Sequence, residues 1–395
     1  MTACANSLTL PAMSESVLTH PAHKPASPST VAKASALARI GLLFYVLLVV
    51  YASWYPLSGW RDNGLLPWSY LFEHMPRYWT RFDFAANVLG YIPLGALAVL
   101  ALYPMLRTLP ALILTLVCGL LLTVLMEAVQ TYLPTRVASN LDVLTNTLGL
   151  AIGAGLGSWA RRYVLEQSRL RMLRDHWFSD QASRGLIVIG LWPLAQIYPQ
   201  AYLFGHGQVL PTLSAWLTDW LDTPIDLSQL FWSEYNVSVE QYLLAEVIIT
   251  ACCMTGAVLT LLCQMRSNAP KIRMALLLVL SALAVKAMAS AILFTPDNAF
   301  TWFTPSAAGG LLIGAIMLGG LSYAPPLAQR HTAILSLLVC LLVLNLAPAN
   351  PYFLSTLQDW VQGKFLNFNG AAQFLSLIWP FFALWFLTHR THHEA

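Results

Sequence analysis

Residues 81–100 read RFDFAANVLGYIPLGALAVL and residues 139–160 read SNLDVLTNTLGLAIGAGLGSWA. Each stretch opens on polar residues and then runs apolar for the length of a membrane span. Each opening carries Asp-x-x-x-Asn-x-x-Gly: Asp83, Asn87 and Gly90, then Asp142, Asn146 and Gly149. At 3.6 residues per turn, a spacing of four puts each Asp above its Asn on one helix face, with the Gly a turn further on. One apolar run separates the two stretches, so they form a short repeat of two helices entering the membrane in the same direction. Gly149, Gly153 and Gly157 recur every four residues, a stripe that lets a second backbone approach closely.

The rest of the chain has the same character. Of 395 residues, 57% are hydrophobic and only 10% are charged, where a soluble chain carries about 25% charged residues. So few charges cannot cover a soluble surface of this size, and so apolar a chain is not disordered. A formal net charge of +3, without a basic patch interleaved with aromatics, excludes nucleic acid as a partner. Cys118, Cys252, Cys253, Cys263 and Cys340 sit inside apolar runs and Cys4 in the N-terminal region, so no disulfide framework is expected. The class that remains is all-α: a polytopic transmembrane helix bundle.

Apolar runs near 39–57, 83–103, 109–131, 141–160, 185–204, 242–263, 273–294, 306–324, 331–348 and 371–388 give ten spans of roughly 30 Å of hydrocarbon. With both termini cytoplasmic, fifteen Lys and Arg fall on the cytoplasmic side. Five (Arg61, Arg77, Arg81, Arg136 and Lys364) fall outside, and Lys286 lies within a span; this asymmetry supports the count and the orientation. Residues 1–38 read as a disordered cytoplasmic tail rich in Ser, Ala, Pro and Thr. Residues 39–160 form a four-helix transmembrane domain. Residues 161–184, with six Arg, form a basic linker along the cytoplasmic leaflet, and 185–395 a six-helix transmembrane domain.

The third run ends MEAVQTYLPTR, residues 126–136, with Glu127 and Gln130 three apart on one face. By this topology Arg81, Asp83, Asn87, Glu127, Gln130, Arg136, Asp142 and Asn146 gather near the outer ends of three consecutive helices. The stretch 39–160 resembles the VanZ-like family of bacterial membrane proteins. The resemblance rests on Asn87, Gly90, Tyr91, Pro93 and Gly95 in N-x-x-G-Y-x-P-x-G, on Glu127 and Gln130 in E-x-x-Q, and on Arg136, Asp142, Asn146 and Gly149 in R-x(n)-D-x-x-x-N-x-x-G. It implies the bacterial inner membrane and the family's theme of glycopeptide antibiotic resistance, and it implies no particular reaction.

Three readings of the polar cluster stand side by side. An ionisable group within a span costs about 2.5–3.5 kcal/mol on insertion scales, so each needs a partner or water. In a packing role, Asp83, Glu127 and Asp142 pair with Arg81 and Arg136 while the amides bond across helices. In a binding role, the cluster is an outward-facing pocket for the headgroup of a lipid-linked or glycan precursor. Arg81 and Arg136 would then engage phosphate, and the carboxylates and amides would hold sugar hydroxyls. Asp83, Glu127 and Asp142 would suit Mg²⁺ or Ca²⁺, whereas zinc has no His or Cys there. In a catalytic role, Glu127 is the candidate general acid or base. No Ser-His-Asp arrangement or Gly-rich phosphate loop accompanies it, so enzymatic activity is left open.

In the second half, Glu246 and Lys286 are intramembrane charges on consecutive antiparallel spans. Their depths differ by about 6 Å, which a Lys side chain bridges, so a structural ion pair is expected, with a proton-coupling site as the alternative. LSAWLTDWL, residues 213–221, has the spacing of an amphipathic interfacial helix. Trp60, Trp68, Tyr78 and Trp79 read as an aromatic belt or as stacking surfaces for a sugar ring. Gly310 and Gly314 mark a close helix contact. The resulting expectation is an envelope protein that binds or handles a lipid-linked or glycan precursor, with membrane lipids as partners. The alternatives are a transporter, which the unmatched four and six spans disfavour, and an assembly protein without a ligand.

Overall fold

The computed structural model describes residues 28–389 except 56, 58, 65, 77, 104, 107, 108, 162–175, 180–181, 228–237, 295 and 348–365. Among the described residues the chain is helical, without a strand, and one isolated bridge joins Phe178 to Met265. The helices are α1 (Pro28–Trp54), α2 (Arg81–Leu102), α3 (Leu109–Gln130), α4 (Asn140–Arg161), α5 (Ala182–Ala195), α6 (Val209–Leu221), α7 (Val239–Leu262), α8 (Lys271–Leu293), α9 (Pro305–Leu321), α10 (Pro326–Leu346) and α11 (Leu366–Thr388). Six of them, α2, α3, α7, α8, α10 and α11, contain segments long and apolar enough to cross a membrane. Ile113 and Leu121 on α3, Leu276 and Leu280 on α8, and Leu335 and Leu342 on α10 face outward, the surface that lipid covers. The molecule is a membrane protein.

Four of the ten expected spans fall short of that length and hydropathy. The apolar parts of α1, α5 and α9 are Ala38–Trp54, Arg184–Ala195 and Pro305–Leu321. Helix α4 is long enough but carries Asp142, Thr145, Asn146, Thr147 and four glycines. Residues 1–27 and most of the basic linker lie outside the described residues. Helix α1 starts at Pro28, inside the stretch expected to be a tail. The reason is local: Ala32, Lys33, Ala34, Ala36 and Leu37 are strong helix formers, and Pro is tolerated at a first helical turn.

The fifth span is also not one continuous helix. It stops at Ala195, and 196–208 form an irregular, buried stretch before α6. Pro199 removes a backbone donor. Phe204 and Gly207 take positive φ values of 61° and 90°. Such backbone is tolerated at membrane depth only where protein surrounds it, and Tyr202, Leu203, Phe204 and His206 are each at most 3% exposed.

Among the described residues two main cores form, with a small third cluster of Ala289, Leu293 and Phe294. In the first, Val49, Tyr91, Leu94, Met126 and Leu150 pack together, and α2 and α4 are in the closest contact. A Cβ on Gly149 would meet the Val88 carbonyl, one on Gly153 the Ile92 carbonyl, and one on Gly157 would stand 2.8 Å from the Ala96 oxygen. The glycine stripe is therefore the seam between the two repeat helices. Helix α1 is latched beside them, with the Tyr45 hydroxyl donating to the Gly90 carbonyl at 2.7 Å. In the second core α7 is central, 67% of its apolar window being buried, and α9 and α10 pack against it. Gly310 and Gly314 do form the expected close contact, on Val247, Thr250, Ala251 and Met254 of α7.

The expected Glu246–Lys286 pair is not formed. The Thr304 hydroxyl donates to Glu246 Oε1 at 2.9 Å, while the Lys286 ammonium has no hydrogen-bond partner among the described residues. Helix α8 packs on both α5 and α7, while α7 packs chiefly on α9 and α10, and the hydroxyl that caps α9 claims Glu246.

Candidate functional site

Because α2 and α4 run in parallel, their N-terminal ends lie side by side, and a helix N-terminus favours negative charge. Thr80 caps α2: its hydroxyl accepts from the Asp83 amide at 3.0 Å and donates to Asp83 Oδ2 at 2.7 Å. Ser139 does the corresponding work at α4, its hydroxyl accepting from the Leu141 amide at 3.1 Å. The Ser139 amide in turn donates to Glu127 Oε2 at 3.0 Å, so Glu127, only 3% exposed, closes the start of α4 from behind. Across the seam, Asn87 Nδ2 donates to Asp142 Oδ1 at 2.7 Å.

A cleft of about 250 Å³ opens where these two ends meet. Asp83 and Asp142 supply its carboxylates, Ser139 and Thr145 its hydroxyls, and Tyr78, Trp79 and Phe84 an aromatic wall. The Trp79 and Phe84 rings lie 6.0 Å apart at 45°. Asp83 is exposed and Asp142 half-buried, so the acidic edge is open and the aromatic side chains border it.

The structure sorts the eight candidate residues. Asp83 and Asp142 line the cleft, and Asn87 orients Asp142. Glu127 and Asn146 lie behind it; Asn146 Nδ2 donates to the Thr123 hydroxyl at 2.9 Å. Gln130 bonds the Ser53 carbonyl at 3.1 Å and serves helix packing. Arg136 reaches neither carboxylate by hydrogen bond. Its guanidinium donates to the Tyr55 carbonyl at 3.3 Å and to the Ala52 carbonyl at 3.4 Å, the unsatisfied acceptors at the end of α1. Burial pulls the Arg136 guanidinium below its usual pKa, and the Glu127 and Asp142 charges oppose that fall. Arg81 is exposed at the first position of α2 and does not line the cleft.

The expected phosphate clamp of Arg81 and Arg136 is therefore not assembled, because Arg136 is spent on helix-end carbonyls and Arg81 is exposed outside the cleft lining. The three-carboxylate site expected to suit Mg²⁺ or Ca²⁺ is not assembled either. Among the described residues no three of His, Cys, Asp and Glu are close enough to hold a metal ion, and Glu127 is turned to the Ser139 amide. Of the four aromatics, Tyr78 and Trp79 border the cleft. The Trp60 indole instead donates to the Leu57 carbonyl at 2.9 Å.

Sequence reasoning missed a second polar group, on the irregular stretch after α5. His206 is fully buried between Gln196 and Gln200, with Gln196 Nε2 at 2.5 Å from His206 Nε2 and Gln200 Nε2 at 2.6 Å from Nδ1. A neutral imidazole donates from only one nitrogen, so one amide must present its oxygen. The Gln200 amide nitrogen also lies 2.5 Å from Ser376 Oγ, and the Gln196 amide nitrogen donates to the Trp192 carbonyl at 3.3 Å. The signal was present in the sequence as QIYPQAYLFGHGQ, residues 196–208, too rich in Gln, Pro and Gly for a plain span.

Fold and cleft together define a class: a helical membrane protein whose first four helices carry a polar, aromatic-walled cleft at one end. Residues 42–161, from within α1 to the last residue of α4, match the VanZ/LLP1 family model. The VanZ-like resemblance thus holds for this segment, which covers under half of the chain. No curated protein and no solved structure matches.

Proposed function

We propose that the VanZ-like unit binds the polar headgroup of an envelope lipid or lipid-linked glycan precursor in the cleft between α2 and α4. The observation that carries this is the pairing of Asp83 and Asp142 with Tyr78, Trp79 and Phe84 around one space of about 250 Å³. Carboxylates accept hydrogen bonds from hydroxyls and ammonium groups, and aromatic faces pack on apolar sugar faces and attract cations. Among the described residues no arginine lines the cleft and two carboxylates do, which favours hydroxyl- or amine-bearing groups over phosphate. Glu127 supports the start of α4 by accepting from the Ser139 amide.

In this reading the protein sits in the bacterial inner membrane with ten spans, both termini cytoplasmic and the cleft facing outward. The excess of Lys and Arg on the cytoplasmic side supports that orientation. Residues 185–395 form a second unit of six spans, α5 with its buried continuation making the first.

The test is native mass spectrometry of lipids co-purifying with the wild type and with Asp142→Asn and Trp79→Ala variants. The reading expects a hydroxyl- or amine-rich lipid enriched in the wild type and lost from both variants. Equal bulk phospholipid in all three, with normal folding, would reduce the cleft to a feature of helix packing.

A further inference from the structure

The segment that leads into α2 is anchored on the side of the bundle and yet carries large apolar side chains outward. Its short 3-10 turn, Ser69–Phe72, is pinned from two directions. The buried Tyr70 hydroxyl donates to the Val124 carbonyl at 3.0 Å, more than one turn inside α3. Asn140 Nδ2, at the first position of α4, donates to the Glu73 carbonyl at 2.7 Å, and the turn packs on α4. It therefore lies beside the ends of α3 and α4. Its own amides are answered locally: Ser69 by the Leu66 carbonyl at 3.0 Å, Leu71 by Trp68 at 3.2 Å and Glu73 by Tyr70 at 3.4 Å. Backbone satisfied in this way suits surroundings that supply little water.

On this fixed backbone Phe72 is 85% and Tyr78 95% exposed, and Leu71, Met75 and Trp79 are exposed as well. A patch of that kind marks a surface that something apolar covers. It is continuous with the surface that lipid covers. Val137, 85% exposed, and Leu141 line the cleft beside Tyr78. Leu144, Leu148 and Ile152, all exposed, then carry the face of Leu141 down α4 at helical spacing. Glu73 and His74 are exposed next to Phe72, which sets the turn at headgroup level, where aromatic residues gather.

We propose that Phe72, Met75, Tyr78 and Trp79 are seated in the lipid leaflet at this end of the bundle, so that the cleft between α2 and α4 opens sideways into that leaflet. Its occupant is then a lipid whose chains stay in the bilayer along Leu144 and Leu148 while its headgroup reaches Asp83 and Asp142. The identity of the occupant rests on the function proposed above; the position of the mouth does not. A soluble sugar or amine, without chains, has no such route.

The test places the photoreactive residue p-benzoylphenylalanine at Phe72 or at Tyr78 of the full-length protein in phosphatidylethanolamine–phosphatidylglycerol nanodiscs. Both side chains are exposed aromatics, so the larger ring disturbs little packing. Leu121, exposed midway along α3, is the lipid reference, and Asp62, exposed in the polar run 61–64, is the water reference. Mass spectrometry counts phospholipid adducts after irradiation. Burial of a Phe-sized side chain favours lipid over water by about tenfold or more, so yields at Phe72 and Tyr78 are expected near that at Leu121 and about tenfold above that at Asp62. Yields at both positions no higher than at Asp62, in monodisperse protein, overturn the proposal, even if lipid retention still depends on Asp142. Capture of a second protein chain in place of lipid, on irradiation in native membranes, overturns it too. Lipid adducts at both positions, with Asp142→Asn and Trp79→Ala retaining the wild-type lipids, uphold the sideways mouth while the headgroup reading fails.

Discussion

The seam between α2 and α4 can be tested with two alanines placed two residues apart. A Cβ on Gly153 would stand 2.8 Å from the Ile92 carbonyl carbon and 2.9 Å from its Cα. Carbon atoms pack comfortably at about 3.5–4.0 Å, so the helices must separate by about 0.7 Å or more. The obstacle is backbone, and no side chain can swing aside. Overpacking of this kind costs about 1–3 kcal/mol. Gly155 is on the same helix with nothing within 4 Å of its Cβ position. Both substitutions gain the same helix-interior preference of Ala over Gly, about 0.5–1 kcal/mol. The difference between Gly153→Ala and Gly155→Ala therefore isolates the seam: Gly155→Ala should be neutral or slightly more stable, and Gly153→Ala less stable than it by about 1–3 kcal/mol. Reversible unfolding in mixed detergent and SDS, followed by tryptophan fluorescence, measures both. The Asn87–Asp142 bond of 2.7 Å crosses the same seam, so Gly153→Ala should also weaken retention of any lipid held in the cleft. Equal unfolding midpoints for the two variants would refute the close approach.

Other substitutions probe the supports of the site. Glu127→Leu leaves the Ser139 amide without its acceptor and should cost about 1–3 kcal/mol, whereas Glu127→Gln keeps an oxygen there and should cost less; the same unfolding assay separates them. Arg136→Met removes three hydrogen bonds to the Tyr55 and Ala52 carbonyls, and limited proteolysis should cut the chain between α1 and α2 sooner than in wild type. In the second unit, Gly310→Ala would set a Cβ 2.6 Å from Thr250 Cβ and 2.9 Å from the Val247 oxygen. At Gly314 the nearest atom is the mobile end of Met254, so Gly310→Ala should lower the thermal midpoint in detergent more than Gly314→Ala.

Much of this architecture is legible in the sequence because its physics is local. The lengths of apolar runs fix most helices, and the four-residue glycine stripe marks a close helix approach on α4, whose partner, α2, only the structure gives. The paired Asp-x-x-x-Asn sets do mark one end of one unit. What the sequence hides is which side chain claims which partner. Arg136 could serve a carboxylate or a carbonyl, and only the position of the α1 end beside it decides. Glu246 and Lys286 look like a pair because their spans are consecutive, yet the Thr304 hydroxyl at the start of α9 claims Glu246. The break after Ala195 is hidden by hydropathy averaging, since Tyr202, Leu203 and Phe204 are apolar enough to mask Pro199, Gly205 and Gly207.

The placement of Asp83 and Asp142 also bears on what kind of ligand the cleft can hold. Each sits in the first turn of its own helix, where the helix dipole offsets a negative charge by about 0.3–1 kcal/mol. Two such ends side by side can therefore keep two carboxylates near each other without an arginine between them. Had Arg136 turned into the cleft, it would have offset one of the two negative charges and left its three hydrogen bonds to the Ala52 and Tyr55 carbonyls unmade. The structure takes the opposite course: the cation secures α1, and the acids keep an open edge bordered by aromatic rings. An acidic edge repels phosphate and favours hydroxyls and ammonium groups. On the proposed reading, selectivity in this unit rests on Arg136 being engaged by the carbonyls at the end of α1.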